Sequence, residues 1–256
     1  VDEQPEAPPL LERLGEALRF LTILPVPGLP PAREGAIGHA LPLFPLAGAV
    51  IGALLAALGW LAGLLWGDLA RAALLVVGWG VLTAGLHLDG LADTFDAVMS
   101  WRPRERKLEI MKDSRIGTMG ALALVAVLGL KLAWLAQAGP RWLPAVLLAP
   151  ALGRWAAIYG IFRFPPAREG GLGRDFQAQA RGPALLTATL SAAALALLGG
   201  PRGLLALALV WGVSHLLGRW WTRDLGGLTG DTYGALCEIA EAVALAVLTA
   251  ELRIRN

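Results

Sequence analysis

Residues Leu41–Trp66 read LPLFPLAGAVIGALLAALGWLAGLLW, an apolar run without one charged side chain. A helix of about 20 apolar residues crosses a hydrocarbon core of about 30 Å, so this stretch predicts a membrane span. Gly67-Asp68 breaks the run, and a second one follows at once from Leu69 to Leu88, which predicts a tight helical hairpin. Ile116–Ala138, Trp142–Phe162, Ala184–Leu198, Gly203–Gly218 and Tyr233–Leu252 repeat the pattern between Gly, Pro and charged loops, bringing the candidate spans to seven. Ala184–Leu198 is short, about 22 Å at the helical rise. Upstream, Leu10–Leu24 is periodic, amphipathic and too charged to span, and it closes on the turn-forming Pro25-Val26-Pro27-Gly28. It is expected to lie on the membrane surface.

The rest of the composition agrees. Of 256 residues, 56% are hydrophobic and 16% charged, with mean hydropathy +0.59, too apolar for a soluble domain of this length. The expected fold is all-α: a polytopic integral membrane helical bundle of about seven transmembrane helices with an N-terminal amphipathic interfacial helix. With no internal repeat and no linker, residues 1–256 read as one domain. The single cysteine, Cys237, excludes an internal disulfide framework, and the scattered histidines offer no zinc spacing. The opening VDEQPEAPP lacks a basic region before an apolar stretch, so insertion is expected to use the internal helices. Membrane lipid, small-molecule substrates and a second copy of the chain are the partners to expect; nucleic acid is not.

Lys and Arg near span ends stay cytoplasmic. The loop after the second run carries Arg102, Arg104, Arg106, Lys107, Lys112 and Arg115, and the next loop on that side carries Arg163, Arg168, Arg174 and Arg181. Alternate loops hold only Arg71, Arg141 and Arg202. Seven spans threaded through this asymmetry put the amino terminus and both basic loops in the cytoplasm and the carboxyl terminus outside. Arg253 and Arg255 are then mild exceptions.

Three polar segments share that cytoplasmic face. In the first, Gly85–Asp96 (GLHLDGLADTFD), spacings of four and three put Asp89, Asp93 and Asp96 within about 60° of one another on a helix. Such a stripe repels itself and calls for cations, and its oxygen-only donors favour a hard ion such as Mg2+ that completes its shell with water and substrate phosphate. Metal binding is favoured over a merely solvated helix face. The second segment runs from Arg104 to Thr118 with acids and bases interleaved; Lys112 and Arg115 there are suited to clamping phosphate oxygens, although much of the basic charge serves topology and lipid headgroups. The third, Arg223–Thr232, is glycine-rich before a helix and suits anion binding through backbone amides, with Asp231 either a helix cap or a metal ligand. Glu238 and Glu241 continue into the last span and demand partners, for which Arg154 is the candidate, either neutralising one of them or holding substrate phosphate at depth. His87 and His215 read as packing or hydrogen-bonding residues, and Trp66, Trp101, Trp142, Trp220 and Trp221 as interface anchors.

FLTILPVP at Phe20–Pro27, GLHLDGLADTFDA at Gly85–Ala97, KDSRIGTMG at Lys112–Gly120 and GGLTGDTYGALCEIAEA at Gly226–Ala242 closely resemble, in order and along nearly the whole chain, the cobalamin synthase family, the adenosylcobinamide-GDP ribazoletransferases. The resemblance implies joining of adenosylcobinamide-GDP to α-ribazole or its 5′-phosphate, with release of GMP, at the cytoplasmic membrane and with Mg2+. On that basis Asp89, Asp93 and Asp96 are the expected metal ligands, with Asp93 or Asp96 taking the proton of the attacking hydroxyl. Lys112 and Arg115 are expected on phosphate oxygens, and Arg154, Gly227, Thr229, Gly230 and Asp231 on the nucleotide substrate. Two rivals stand beside it. A CDP-alcohol phosphotransferase shares a membrane aspartate cluster but has Ala-Arg where no such pair follows Asp89-Gly90. An ion-coupled transporter would explain charge within the spans, but it usually binds between repeats at the midplane.

Overall fold

The structure, a computed structural model, describes residues 8–29, 35–168, 170, 174, 176, 178 and 183–251. Helix α1 (Leu10–Leu21) turns Ala17 and Leu21 inward and leaves Leu10 and Leu11 exposed, as an interfacial helix does. After a short α2 (Ala36–Ala40) and a 3-10 turn at Leu41–Leu43, α3 (Phe44–Gly63) completes the first span. Pro42 and Pro45 sit at helix starts, where a missing N–H leaves no bond unmade. Then come α4 (Asp68–Leu82), α5 (Leu86–Val98), α6 (Arg104–Ile110), α7 (Thr118–Ala136), α8 (Trp142–Arg163), α9 (Ala184–Leu198), α10 (Gly200–Leu225) and α11 (Gly230–Thr249).

Helices α8 and α11 are buried nearly all round, whereas α7 and α10 bury one face and turn Leu122, Val125, Leu205, Leu209 and Leu216 outward. In lipid the association of helices rests on close packing, which small residues allow. A Cβ on Gly48 or Gly52 of α3 would lie 2.5 Å from the Pro150 carbonyl oxygen or 2.6 Å from that of Leu147, both on α8. Gly153 and Gly160 of α8 admit Cys237, Glu241, Tyr233 and Leu236 of α11 in the same way.

Among the described residues five segments are long and apolar enough to span alone. Counting the bent pair α4 and α5 as one brings them to six, and α9, 15 residues, is apolar but shorter. Arg71, at the start of α4, lies 4.7 Å from the Trp142 ring centroid, and Arg141 binds Glu251 at 2.6 Å, which marks one end. Leu82, at the other end of α4, accepts from the Ile23 amide at 2.9 Å beside α1. The carboxyl end of α11 therefore lies at the opposite end of the bundle from the acidic segment, and the span count falls short of the seven expected. Arg181, Arg253 and Arg255 lie outside the described residues.

The run from Leu69 to Leu88 is not one straight helix. Ala84 (φ 52°) and Gly85 (φ 66°) are left-handed, and α5 leaves at 89° to α4, lying across the end of the bundle. Gly218 does not end α10; it packs on the Phe164 ring, and the helix runs on to a left-handed Gly226. Helix α11 starts before Tyr233 because Thr229 and Thr232 form a reciprocal capping box.

Candidate active site

Laying α5 across the bundle end brings the acidic stripe against the start of α11. Gly90 makes this approach possible, since a Cβ there would stand 2.7 Å from the Asp231 carbonyl oxygen. Asp89 is exposed, and Asp93 and Asp231 are half-buried. Burial first, and then the neighbouring Asp89, Asp231, Asp96 and Asp113 carboxylates, push Asp93 up to about 7. The acids therefore share one electrostatic site drawn from three segments far apart in sequence. The variant Gly90→Ala is expected to lose about 1–3 kcal/mol of stability and to part Asp89 from Asp231, lowering activity with it. Thermal unfolding in detergent beside an activity assay checks this, and a variant as stable and active as the parent would contradict the packing argument.

Asp96 is turned away from that site. Its carboxylate accepts from the Gly117 amide at 2.6 Å and the Gly120 amide at 2.8 Å, so it caps the start of α7. Asp231 is not the cap of α11. Thr229 holds that position, its amide donating to Thr232 Oγ1 at 2.8 Å, and its hydroxyl lies 3.2 Å from Asp231 Oδ2. The amides of Gly226, Leu228 and Thr232 are likewise bonded within the protein, which leaves less of this loop for an anion than its glycine content suggests. A Cβ on Gly227 would meet the Pro165 carbonyl oxygen at 2.5 Å, so that glycine serves close packing; Gly230 opens α11 beside Asp231.

Several cations at this end are tethers. Lys107 grips Asp224 at 2.6 Å, Arg104 donates to the carbonyls of Leu225 and Ala167 at 2.7 Å each, and Arg168 to that of Leu108 at 2.6 Å. Together they pin α6 to the end of α10 and to the segment after α8. Arg115 is exposed and bonded to Asp113 at 2.6 Å, which holds the Asp113 carboxyl down at about 2. Lys112 is exposed at the rim.

Arg154 lies elsewhere. It is 1% exposed in the core, where its guanidinium bonds Glu241. Lys131 of α7, which the sequence reading overlooked, donates to Glu238 at 2.7 Å and also to Glu241, and sits 4.4 Å from the Trp79 ring centroid. Two cations and two anions on α7, α8 and α11 thus neutralise one another. A lone lysine within an apolar span was the sequence signal for this. His215 bonds the Tyr159 hydroxyl at 2.9 Å, the structural role expected of it.

The donor chemistry suits a hard divalent ion: Asp89, Asp93 and Asp231 offer only oxygen and repel one another. Among the described residues no three His, Cys, Asp or Glu groups lie close enough together to hold a metal ion by themselves.

Fold and site together define an integral membrane protein with an acidic, oxygen-donor site at one end of its bundle. The family model for cobalamin-5-phosphate synthase matches residues 13–249, and the chain belongs to that family. It is 71% identical over 243 residues to an adenosylcobinamide-GDP ribazoletransferase of Roseiflexus sp. (strain RS-1), covering 94% of this chain and 91% of that protein. It is 52% identical to the Herpetosiphon aurantiacus protein of that name, covering 94% and 97%, and 42% identical to that of Pseudomonas fluorescens, covering 90% and 95%. No solved structure matches the chain.

Proposed function

We propose that this protein joins adenosylcobinamide-GDP to α-ribazole or its 5′-phosphate, releasing GMP, at the cytoplasmic face of the cytoplasmic membrane. The observation that carries this reading is the convergence of Asp89, Asp93 and Asp231 at the bundle end that also bears the basic loops, in a chain of the cobalamin-5-phosphate synthase family.

The ribazole 3′-hydroxyl oxygen forms a bond to the phosphorus nearest cobinamide, the bond from that phosphorus to the bridging oxygen breaks, and GMP leaves with that oxygen. Asp93, flanked by the other carboxylates, takes the hydroxyl proton in this reading, whereas Asp96 accepts from the α7 amides. Lys112, exposed at the rim, and Arg115, presented on Asp113, meet phosphate oxygens. Asp89 and Asp93, with Asp231 beside them, would hold Mg2+, which would supply positive charge to offset that of the pyrophosphate. The tethers at Arg104 and Lys107 hold the loops that frame the site.

The test is an assay of the purified protein in liposomes with adenosylcobinamide-GDP, α-ribazole 5′-phosphate and Mg2+, following GMP and corrinoid by chromatography. One GMP per new corrinoid is expected. No product from this pair, together with turnover of a CDP-alcohol pair, would overturn the reading.

A further inference from the structure

Between α5 and α7 the chain runs out through α6 and returns along the largely exposed segment 112–117. The outward half is pinned by Arg104 and Lys107 to the end of α10. The returning half has no such anchor of its own: the amides of Lys112 and Asp113 donate to Glu109 and Ile110 at the end of α6, and Arg115 bonds Asp113 two residues away. Among the described residues, the one hydrogen-bonding partner of segment 112–117 outside itself and its flanking helices is Asp96. Its carboxylate, on α5, accepts from the Gly117 amide at 2.6 Å and from the Gly120 amide at 2.8 Å, closing a loop across 21 positions of sequence.

The fit is specific to a carboxylate. Gly117 holds the N-cap position of α7 and has no side chain to cap with, so the amides at the helix start turn to Asp96 in charge-assisted bonds. A Cβ on Gly117 would stand 2.5 Å from Asp96 Oδ1, and one on Gly120 would meet Asp96 Oδ2 and, at 2.7 Å, the Ala92 carbonyl oxygen. The backbone at Gly117 (φ −89°, ψ 178°) is open to any residue, so the approach of the carboxylate, not conformation, calls for glycine there. Asparagine at position 96 would offer one acceptor and turn an NH2 group toward the second amide. We infer that Asp96 is a positioning residue: it latches segment 112–117 to the helix that bears Asp89 and Asp93, and so sets where Lys112 and Arg115 stand relative to those acids, without itself touching metal or substrate. This departs from the metal-ligand role that the family resemblance implies for Asp96. What Lys112 and Arg115 do in that place rests on the proposed transfer reaction, whereas the latch itself can be measured without turnover.

The test compares Asp96→Asn and Gly117→Ala, which loosen the latch from its two sides, with the wild-type protein in detergent. Both variants are expected to exchange the amide hydrogens of residues 117–120 about 10-fold faster and to be cut sooner by trypsin after Arg115. In the transfer assay, KM for adenosylcobinamide-GDP should rise about 10-fold, the scale of one lost charge-assisted hydrogen bond, while the Mg2+ concentration for half-maximal rate stays that of the wild type. A general loss of fold does not produce that split. An Asp96→Asn protein that needs far more Mg2+ would make Asp96 a metal ligand, and a Gly117→Ala protein with wild-type exchange, cleavage and KM would leave no latch; either result overturns the inference. Should exchange and cleavage change as expected while the wild type makes no corrinoid product, the latch stands and the transferase reading fails.

Discussion

Glu241→Ala is expected to leave the protein largely unable to fold. Its carboxylate is wholly buried between Lys131 of α7 and Arg154 of α8, so its removal leaves two cations facing Glu238 alone inside the bundle. Breaking a buried ionic group by deleting one partner destabilises by about 3–5 kcal/mol, and in a membrane core water cannot enter to relieve the surplus charge. The loss should appear as a collapse of the monodisperse peak in mild detergent and a fall in the unfolding midpoint. Charge arithmetic supplies the control. Glu241→Gln combined with Arg154→Met leaves Lys131 paired with Glu238 and the network neutral, so this double variant should be more stable than Glu241→Gln alone. A Glu241→Ala protein as stable as wild type, or a double variant no better than the single, would show that the network does not hold the three helices together.

Asp93→Asn is expected to have the opposite profile, with catalysis lost and the fold kept. Burial first, and then the charges of Asp89, Asp231, Asp96 and Asp113, raise Asp93 to about 7. Neutralising one carboxylate relieves repulsion, so the unfolding midpoint should hold or rise. GMP release should fall about 1,000-fold, the scale on which one transition-state charge partner acts. Asp68→Asn is the matched control, because Asp68 is an exposed carboxylate paired with Arg71 at the opposite end of the bundle; its activity should stay within about threefold, the reach of an exposed ion pair. An Asp93→Asn enzyme with activity near wild type would remove Asp93 from the site.

The membrane character of the fold was legible because an apolar run such as Leu41–Trp66 has one stable solution in lipid. The bend was not, since Thr83, Ala84 and Gly85 are unremarkable in an apolar run; only tertiary packing shows that α4 stops there and α5 lies across the end. The helical spacing of Asp89, Asp93 and Asp96 correctly put them on one helix, yet spacing says nothing of what the helix meets. That is why Asp96 reads as an equal member of a stripe when the structure gives it to the α7 amides. Arg154 was correctly matched to the glutamates of the last span, while Lys131 was overlooked because it stands alone in an apolar segment.

The most direct test of the central claim is GMP release from adenosylcobinamide-GDP and α-ribazole 5′-phosphate, measured against free Mg2+ for the wild type and for Asp93→Asn. The carboxylate site predicts a wild-type rate that vanishes under chelation and returns on adding Mg2+, and a variant that stays inactive at every concentration. A wild-type rate undiminished by chelation, or an Asp93→Asn enzyme with the same Mg2+ response, would contradict it.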